Sequence, residues 1–219
     1  MKQLLSAIAL AVAAHTAFAA PIAVNTGDFI ATASNFNSFE NIPLSGPFFF
    51  SGGAGPYVED GIQVQQVNGD VGNDIWATVA QSFPMHGQRA WYPSGGDNGY
   101  TKITLASGAD MDAISLLFYS FNGNVAYELF NDGASVFTGT LTAASFVLGR
   151  VGFSGGPFDA VHLRAGSFGT GIANGGSQAL AIDAIKVVEA APTTVPEPGS
   201  LALVGIAVAG LAGLRRRKI

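Results

Sequence analysis

Ala113-Ile114-Ser115-Leu116-Leu117-Phe118-Tyr119-Ser120-Phe121-Asn122-Gly123-Asn124-Val125-Ala126-Tyr127-Glu128-Leu129-Phe130-Asn131-Asp132-Gly133-Ala134-Ser135-Val136-Phe137-Thr138-Gly139-Thr140-Leu141 is the stretch that decides the fold. Asn122-Gly123 separates the run Ala113 to Phe121 from Val125 to Phe130, and Asn131-Asp132-Gly133 separates that run from Ser135 to Leu141. Asn-Gly and Asp-Gly supply the backbone conformations that tight hairpins require, so the three runs read as consecutive strands of a meander. The same punctuation recurs on either side. Ile62-Gln63-Val64-Gln65-Gln66-Val67 is apolar at every second residue for most of its length, and Asn68-Gly69 turns the chain. Asp74 to Ala80, Tyr100 to Leu105, Phe146 to Phe153, Phe158 to Arg164 and Gln178 to Val188 are further strand candidates. Between the two chain ends no charged stretch keeps helical spacing beyond about three turns. So many short strands with turns between them predict an all-β domain, a jelly-roll-like antiparallel β-sandwich with one concave face.

The whole chain has 219 residues, 48% hydrophobic and only 11% charged, with 29 glycines, no cysteine and a formal net charge of −5. The apolar content excludes a disordered polyelectrolyte. Without cysteine there is no disulfide framework, thiolate zinc site or cysteine nucleophile. A net negative chain is ill-suited to bind a phosphate backbone, so nucleic acid is not an expected partner.

Both ends differ from the middle. Lys2, the apolar run Leu4 to Ala14 and the small-residue sequence Ala17-Phe18-Ala19 follow the order of a secretory signal peptide over residues 1–19, with Ala17 and Ala19 flanking the cleavage point. At the other end Val195-Pro196-Glu197-Pro198 precedes a helix candidate over 199–214 and the cations Arg215, Arg216, Arg217 and Lys218. Fourteen apolar residues rise about 21 Å as a helix, a thin transmembrane span that Gly199, Ser200 and snorkelling arginine stems extend. Four consecutive cations stop translocation and leave the preceding domain outside the inner membrane. Lys2 and these four account for five of the ten positive charges and Glu197 for one of the fifteen acids, so residues 20–194 hold 5 basic and 14 acidic residues, a net charge of −9. The sandwich is expected over 20–189, with a short linker over 190–194.

The Val195-Pro196-Glu197-Pro198 motif, the glycine- and alanine-rich apolar segment and the terminal arginine cluster together resemble the PEP-CTERM sorting domain, also catalogued as the ice-binding protein C-terminal domain. The resemblance covers residues 195–219 and implies recognition of Pro196, Glu197 and Pro198 by an exosortase in the inner membrane of a Gram-negative bacterium. It further implies a transient membrane anchor, followed by transfer to the cell surface or to extracellular polysaccharide, as in a biofilm matrix. No ice activity follows from the older label. The closing segment Ala179 to Val187 resembles the last strand of galactose-binding-like and concanavalin-like domains.

Within the domain, Gly152-Phe153-Ser154-Gly155-Gly156 matches the nucleophile elbow G-x-S-x-G. Pro157 and a strand-like alternation follow where a helix should begin, so residues 152–157 read as a loop between strands, and no catalytic residue is assigned. His86 and His162 lack partners at zinc-ligand spacing. The segment Arg89 to Tyr100 sets aromatic faces among amide and carboxylate groups, the chemistry of sugar recognition, with Trp91, Tyr92, Asp97 and Tyr100 as candidates. Trp76 is a further ring of that type. Sugar-binding jelly rolls hold a structural calcium on carboxylates placed like Glu40 and Asp183, and the resemblance makes these two the first metal candidates and the Asp70 loop the second. The expected mature protein is a non-enzymatic structural or adhesive component associated with extracellular polysaccharide. The alternatives are a carbohydrate-binding module with structural calcium and, last, a secreted hydrolase.

Overall fold

A computed structural model describes residues 20–24, 27–41, 56–67, 85–92, 99–120, 123–166 and 180–191, together with the backbone of 75–77. Among the described residues all regular structure is β. The strands are β1 Ile22–Val24, β2 Asn35–Asn37, β3 Tyr57–Glu59, β4 Ile62–Val67, β5 Ile75–Ala77, β6 Arg89–Trp91, β7 Tyr100–Leu105, β8 Met111–Ser120, β9 Val125–Asn131, β10 Ala134–Leu141, β11 Val147–Phe158, β12 Ala160–Ala165 and β13 Leu180–Glu189.

They form two antiparallel sheets. One runs β1-β11-β8-β13-β6-β5 with β2 also paired to β13, and the other runs β10-β9-β12-β7-β4-β3. Alternation along each strand sends one side chain in two towards the partner sheet. Ile62 and Val64 of β4, Ile103 and Leu105 of β7, Leu129 of β9, and Val161 and Leu163 of β12 thereby meet Ile114 and Leu116 of β8, Phe153 of β11, and Ile182, Ile185 and Val187 of β13 in one core. Each such side chain contributes about 1.5–3 kcal/mol on burial. The rings of Tyr127 and Phe153, one from each sheet, lie 4.8 Å apart between centroids. This is the expected jelly-roll-like antiparallel β-sandwich.

Several details differ from the sequence reading. The strand run Ala113 to Phe121 does not begin a three-strand meander: β8 pairs with β11 and β13, whereas only β9 and β10 form a hairpin, in the other sheet. β8 is buried on both faces for most of its length, so an almost continuous apolar run marks a central strand and not the first arm of a hairpin. The β9–β10 turn is as read. Asp132 and Gly133 have φ of 51° and 76°, the pair of left-handed conformations of a type I′ turn.

The span 152–157, expected as a loop, instead continues β11. Its register against β8 shifts between Ser154 and Phe158, a bulge that absorbs Gly155, Gly156 and Pro157 without ending the strand. Ser154 therefore sits within a strand and not on a strand-to-helix turn. Gly152 is there for space, because a Cβ would come within 2.6 Å of the Ile114 carbonyl oxygen and would collide with the Phe29 ring. The short strands β1, β2, β3 and β6 were not anticipated. No helix among the described residues is long and apolar enough to cross a membrane. The expected signal peptide with Ala17 and Ala19, the span 199–214, the sorting motif Val195 to Pro198 and the cations Arg215 to Lys218 all lie outside the described residues.

Candidate functional site

The outer faces of the two sheets have different fates. On the seven-stranded sheet residues 28–30 cover the part of the outer face around Arg150, Gly152 and Lys186. Asp28 pairs with the Lys186 ammonium and lies 3.8 Å from Arg150, the Phe29 ring packs over Gly152, and Ile30 is buried. Burial raises the Asp28 pKa, but the Lys186 hydrogen bond and the two nearby cations outweigh it, so the carboxyl is held below its usual range.

The six-stranded sheet carries aromatic and polar side chains outward in register. One row runs Gln65, Lys102, His162, Glu128 and Thr138 across β4, β7, β12, β9 and β10. A neighbouring row runs Val58, Gln63, Thr104, Ala160, Phe130 and Ser135. On this face the His162 ring lies between two others, with centroids 4.4 Å from Tyr100 and 4.4 Å from Phe130. Arg164, two residues beyond His162, is buried, so this end of the face is covered. Towards the other end a groove of about 490 Å³ opens, lined by Lys102, Thr104, Phe130, Asp159, Ala160 and His162 and closed by the turn glycines Gly108 and Gly133.

Burial pushes the His162 imidazole down to about 4, with Lys102 adding to the shift and Glu128 opposing it. The ring is consequently neutral at pH 7, with one donor and one acceptor nitrogen. Burial, then the Glu128 charge, raises the Tyr100 hydroxyl, which stays protonated. The three uncharged rings overlap one another, with His162 between Tyr100 and Phe130, and an amide, an ammonium and a carboxylate lie beside them. This is the chemistry needed to bind a ligand with C–H faces and hydroxyl rims.

The sequence-derived candidates divide accordingly. Tyr100 belongs to this face. Trp91, proposed beside it, does not. It is fully buried, its indole N–H donates to Thr101 Oγ1 at 3.1 Å, and its ring packs on Phe39 with centroids 6.1 Å apart, so it is core and presents no face for a ligand. Tyr92 is half-buried just past β6, Asp97 lies outside the described residues, and only the backbone of Trp76 is described. His162 and Phe130, which carry the strip, were not singled out as ligand contacts. The signal available was the outward alternation Tyr100, Lys102, Thr104 on one strand and Glu128, Phe130 on another.

Glu40 and Asp183 belong to no cluster of three or more histidine or acidic groups among the described residues. Glu40 Oε1 accepts the Gln88 and Arg89 backbone N–H groups at 2.6 and 2.7 Å, and its Oε2 lies 3.0 Å from the Arg89 guanidinium. That cation and those amides fill the carboxylate. Asp183 is fully buried, and its Oδ1 accepts the Ala184 N–H at 2.6 Å, holding Ala184 at φ 47° where the β13 register shifts. Its Oδ2 has no hydrogen-bond partner among the described residues. Burial is the main reason that its pKa rises to about 8, and the Glu40 and Glu59 charges add to it, while the Ala184 and His86 backbone N–H groups pull the other way. Among the described residues no three histidine or acidic groups gather closely enough to hold a metal ion, and the Asp70 loop lies outside them.

The sequence profile described as the PEP-CTERM protein-sorting motif matches residues 194–218. No curated protein matches the chain. Among solved structures, a variant of the module CBM29-2 in complex with cellulohexaose is 12% identical and covers 77% of this chain and 92% of its own, at a TM-score of 0.37. A carbohydrate-binding module of family 29 is also 12% identical, covering 69% and 87% at 0.38, and a variant of a family 29 module is 13% identical, covering 80% and 99% at 0.32.

Proposed function

We propose that this chain is an exported, non-enzymatic surface protein whose tail, residues 195–219, is recognised by an exosortase and whose sandwich, residues 20–189, binds extracellular polysaccharide on the open face of its six-stranded sheet. The sorting half is supported by the profile match over 194–218. In this reading Pro196, Glu197 and Pro198 are the recognition residues, residues 199–214 the transient inner-membrane span, and Arg215 to Lys218 its cytoplasmic stop. The binding half is carried by one observation, the contiguous strip Tyr100, His162 and Phe130 facing outward among Gln65, Lys102 and Glu128.

Sugar rings stack on the aromatic faces, and their hydroxyls bond to the amide, ammonium and carboxylate at the edges. This moves the sugar-contacting role from Trp91 and its loop to the sheet face, with Tyr100 common to both. Retention of the full chain on polysaccharide columns tests it. Phe130→Ala and Tyr100→Ala are expected to weaken retention at least tenfold with the fold intact. Full retention by both variants would overturn the site, and no retention of the folded parent on any polysaccharide would leave the structural role. The sorting half is tested in cells: Pro196→Ala with Pro198→Ala should block processing, and unchanged mass and location would refute it.

A further inference from the structure

The strands that have a single neighbour in the two sheets are unequal. β1, β2, β3 and β5 have three residues each, whereas β10 has eight. Short edge strands offer few unpaired amides and carbonyls and are a common protection against strand addition; a long edge is protected instead by charge, proline or a cover. β10, Ala134-Ser135-Val136-Phe137-Thr138-Gly139-Thr140-Leu141, contains no charged residue and no proline. Its bulge is confined to Ser135 and Phe137, leaving Phe137 to Leu141 in regular register with β9. Among the described residues nothing pairs with its outer edge.

We propose that β10 is a self-association edge, along which a second copy of this chain pairs antiparallel and joins the two six-stranded sheets into one. A strand paired antiparallel with its own copy closes under a two-fold axis, so the contact ends at a dimer and does not propagate. Self-complementarity, and not charge, selects the partner. Residues 20–194 carry a net charge of −9, which repels a second copy over most of the surface, yet β10 brings no acid to the seam. It also offers no charge by which an oppositely charged foreign strand would be chosen. Thr138 and Thr140 are exposed on the open face, where threonines from two copies form favourable cross-strand pairs. Val136 and Phe137, packed at the rim of the core and half-buried, gain cover on the other side. Joined edge to edge, two copies continue the row that ends at Thr138 into a single face of twice the width.

The absence of cysteine makes the test direct. The purified full chain in mild detergent is oxidised with copper phenanthroline as the Thr138→Cys, Thr140→Cys or Ser107→Cys variant, the last in the exposed β7–β8 turn. At least half of the chain is expected as a covalent dimer for Thr138→Cys or Thr140→Cys, and at most a tenth for Ser107→Cys. Adding Thr140→Lys to Thr138→Cys, or Thr138→Lys to Thr140→Cys, should lower the dimer at least fivefold by setting like charges across the seam, with the circular dichroism spectrum unchanged. Cross-linking at neither threonine position above the Ser107→Cys level, or a dimer indifferent to lysine, overturns the proposal. Neither readout depends on export or on glycan binding.

Discussion

The outer faces of the two sheets are built by the same alternation and serve opposite ends. On the seven-stranded sheet Arg150, Gly152 and Lys186 point outward, and the chain folds residues 28–30 back over them, with Asp28 between the two cations. On the six-stranded sheet Lys102, His162, Glu128 and Phe130 point outward in register, with the His162 and Phe130 rings in contact, and a groove opens beside them. Substitutions on the first face should therefore act on stability, and those on the second on binding.

The largest effect is expected beneath both faces. Trp91→Ala removes the biggest fully buried side chain and leaves Thr101 without its indole partner, at a cost of about 3–5 kcal/mol in urea unfolding. Phe130→Ala, on the open face, should cost no more than about 1 kcal/mol while retention on polysaccharide is lost. A similar loss of stability for the two would mean that the open face is really core. Gly152→Ala is expected to cost about 1–3 kcal/mol by displacing Phe29, with polysaccharide retention unchanged. Loss of retention would show the covered face coupled to the open one.

The faces also separate with pH. Asp183, in the seven-stranded sheet, has its folded pKa raised to about 8 from an ordinary 3.8, so its contribution to stability is complete below about pH 4 and is lost as pH rises through 8. His162, in the six-stranded sheet, has its folded pKa lowered to about 4 from 6.5, so its contribution is present above 6.5 and is lost as pH falls through 4. Asp183→Asn should remove the alkaline decline alone, raising Tm at pH 9 by about 3 °C or more while leaving the acid decline. Calorimetry at pH 4, 6.5 and 9 reads both; an alkaline decline that survives Asp183→Asn would assign it elsewhere. The smallest expected effect is that of a chelator, which should leave Tm within about 1 °C because Arg89 already occupies Glu40. A clear drop would return Glu40 and Asp183 to the role of calcium ligands.

Strand identity was most legible where alternation or a turn pair was strong. Ile62 to Val67 and Tyr100 to Leu105 are strands over those same residues, and Asn131-Asp132-Gly133 makes the turn it suggests. β3 was missed although Asp60-Gly61, at φ of 45° and 74°, announces the hairpin that joins it to β4, because three residues are too few to show a period. For the site, aromatic residues close together in sequence suggested Trp91 and Tyr100. Yet Tyr100 and Thr101 are adjacent and face opposite sides of one strand, and Trp91 lies on the Thr101 side.

The sequence by itself determined the β class, the presence of a sorting motif and the division of charge between an acidic domain and a basic tail, since each is a matter of local pattern or count. Only the tertiary structure decided which strands share a sheet, that Tyr100, His162 and Phe130 from β7, β12 and β9 touch, and that β10 is an edge strand among the described residues. Those facts depend on pairing between segments up to 152 residues apart, and two faces that alternate identically along the chain differ only in what folds back to cover them.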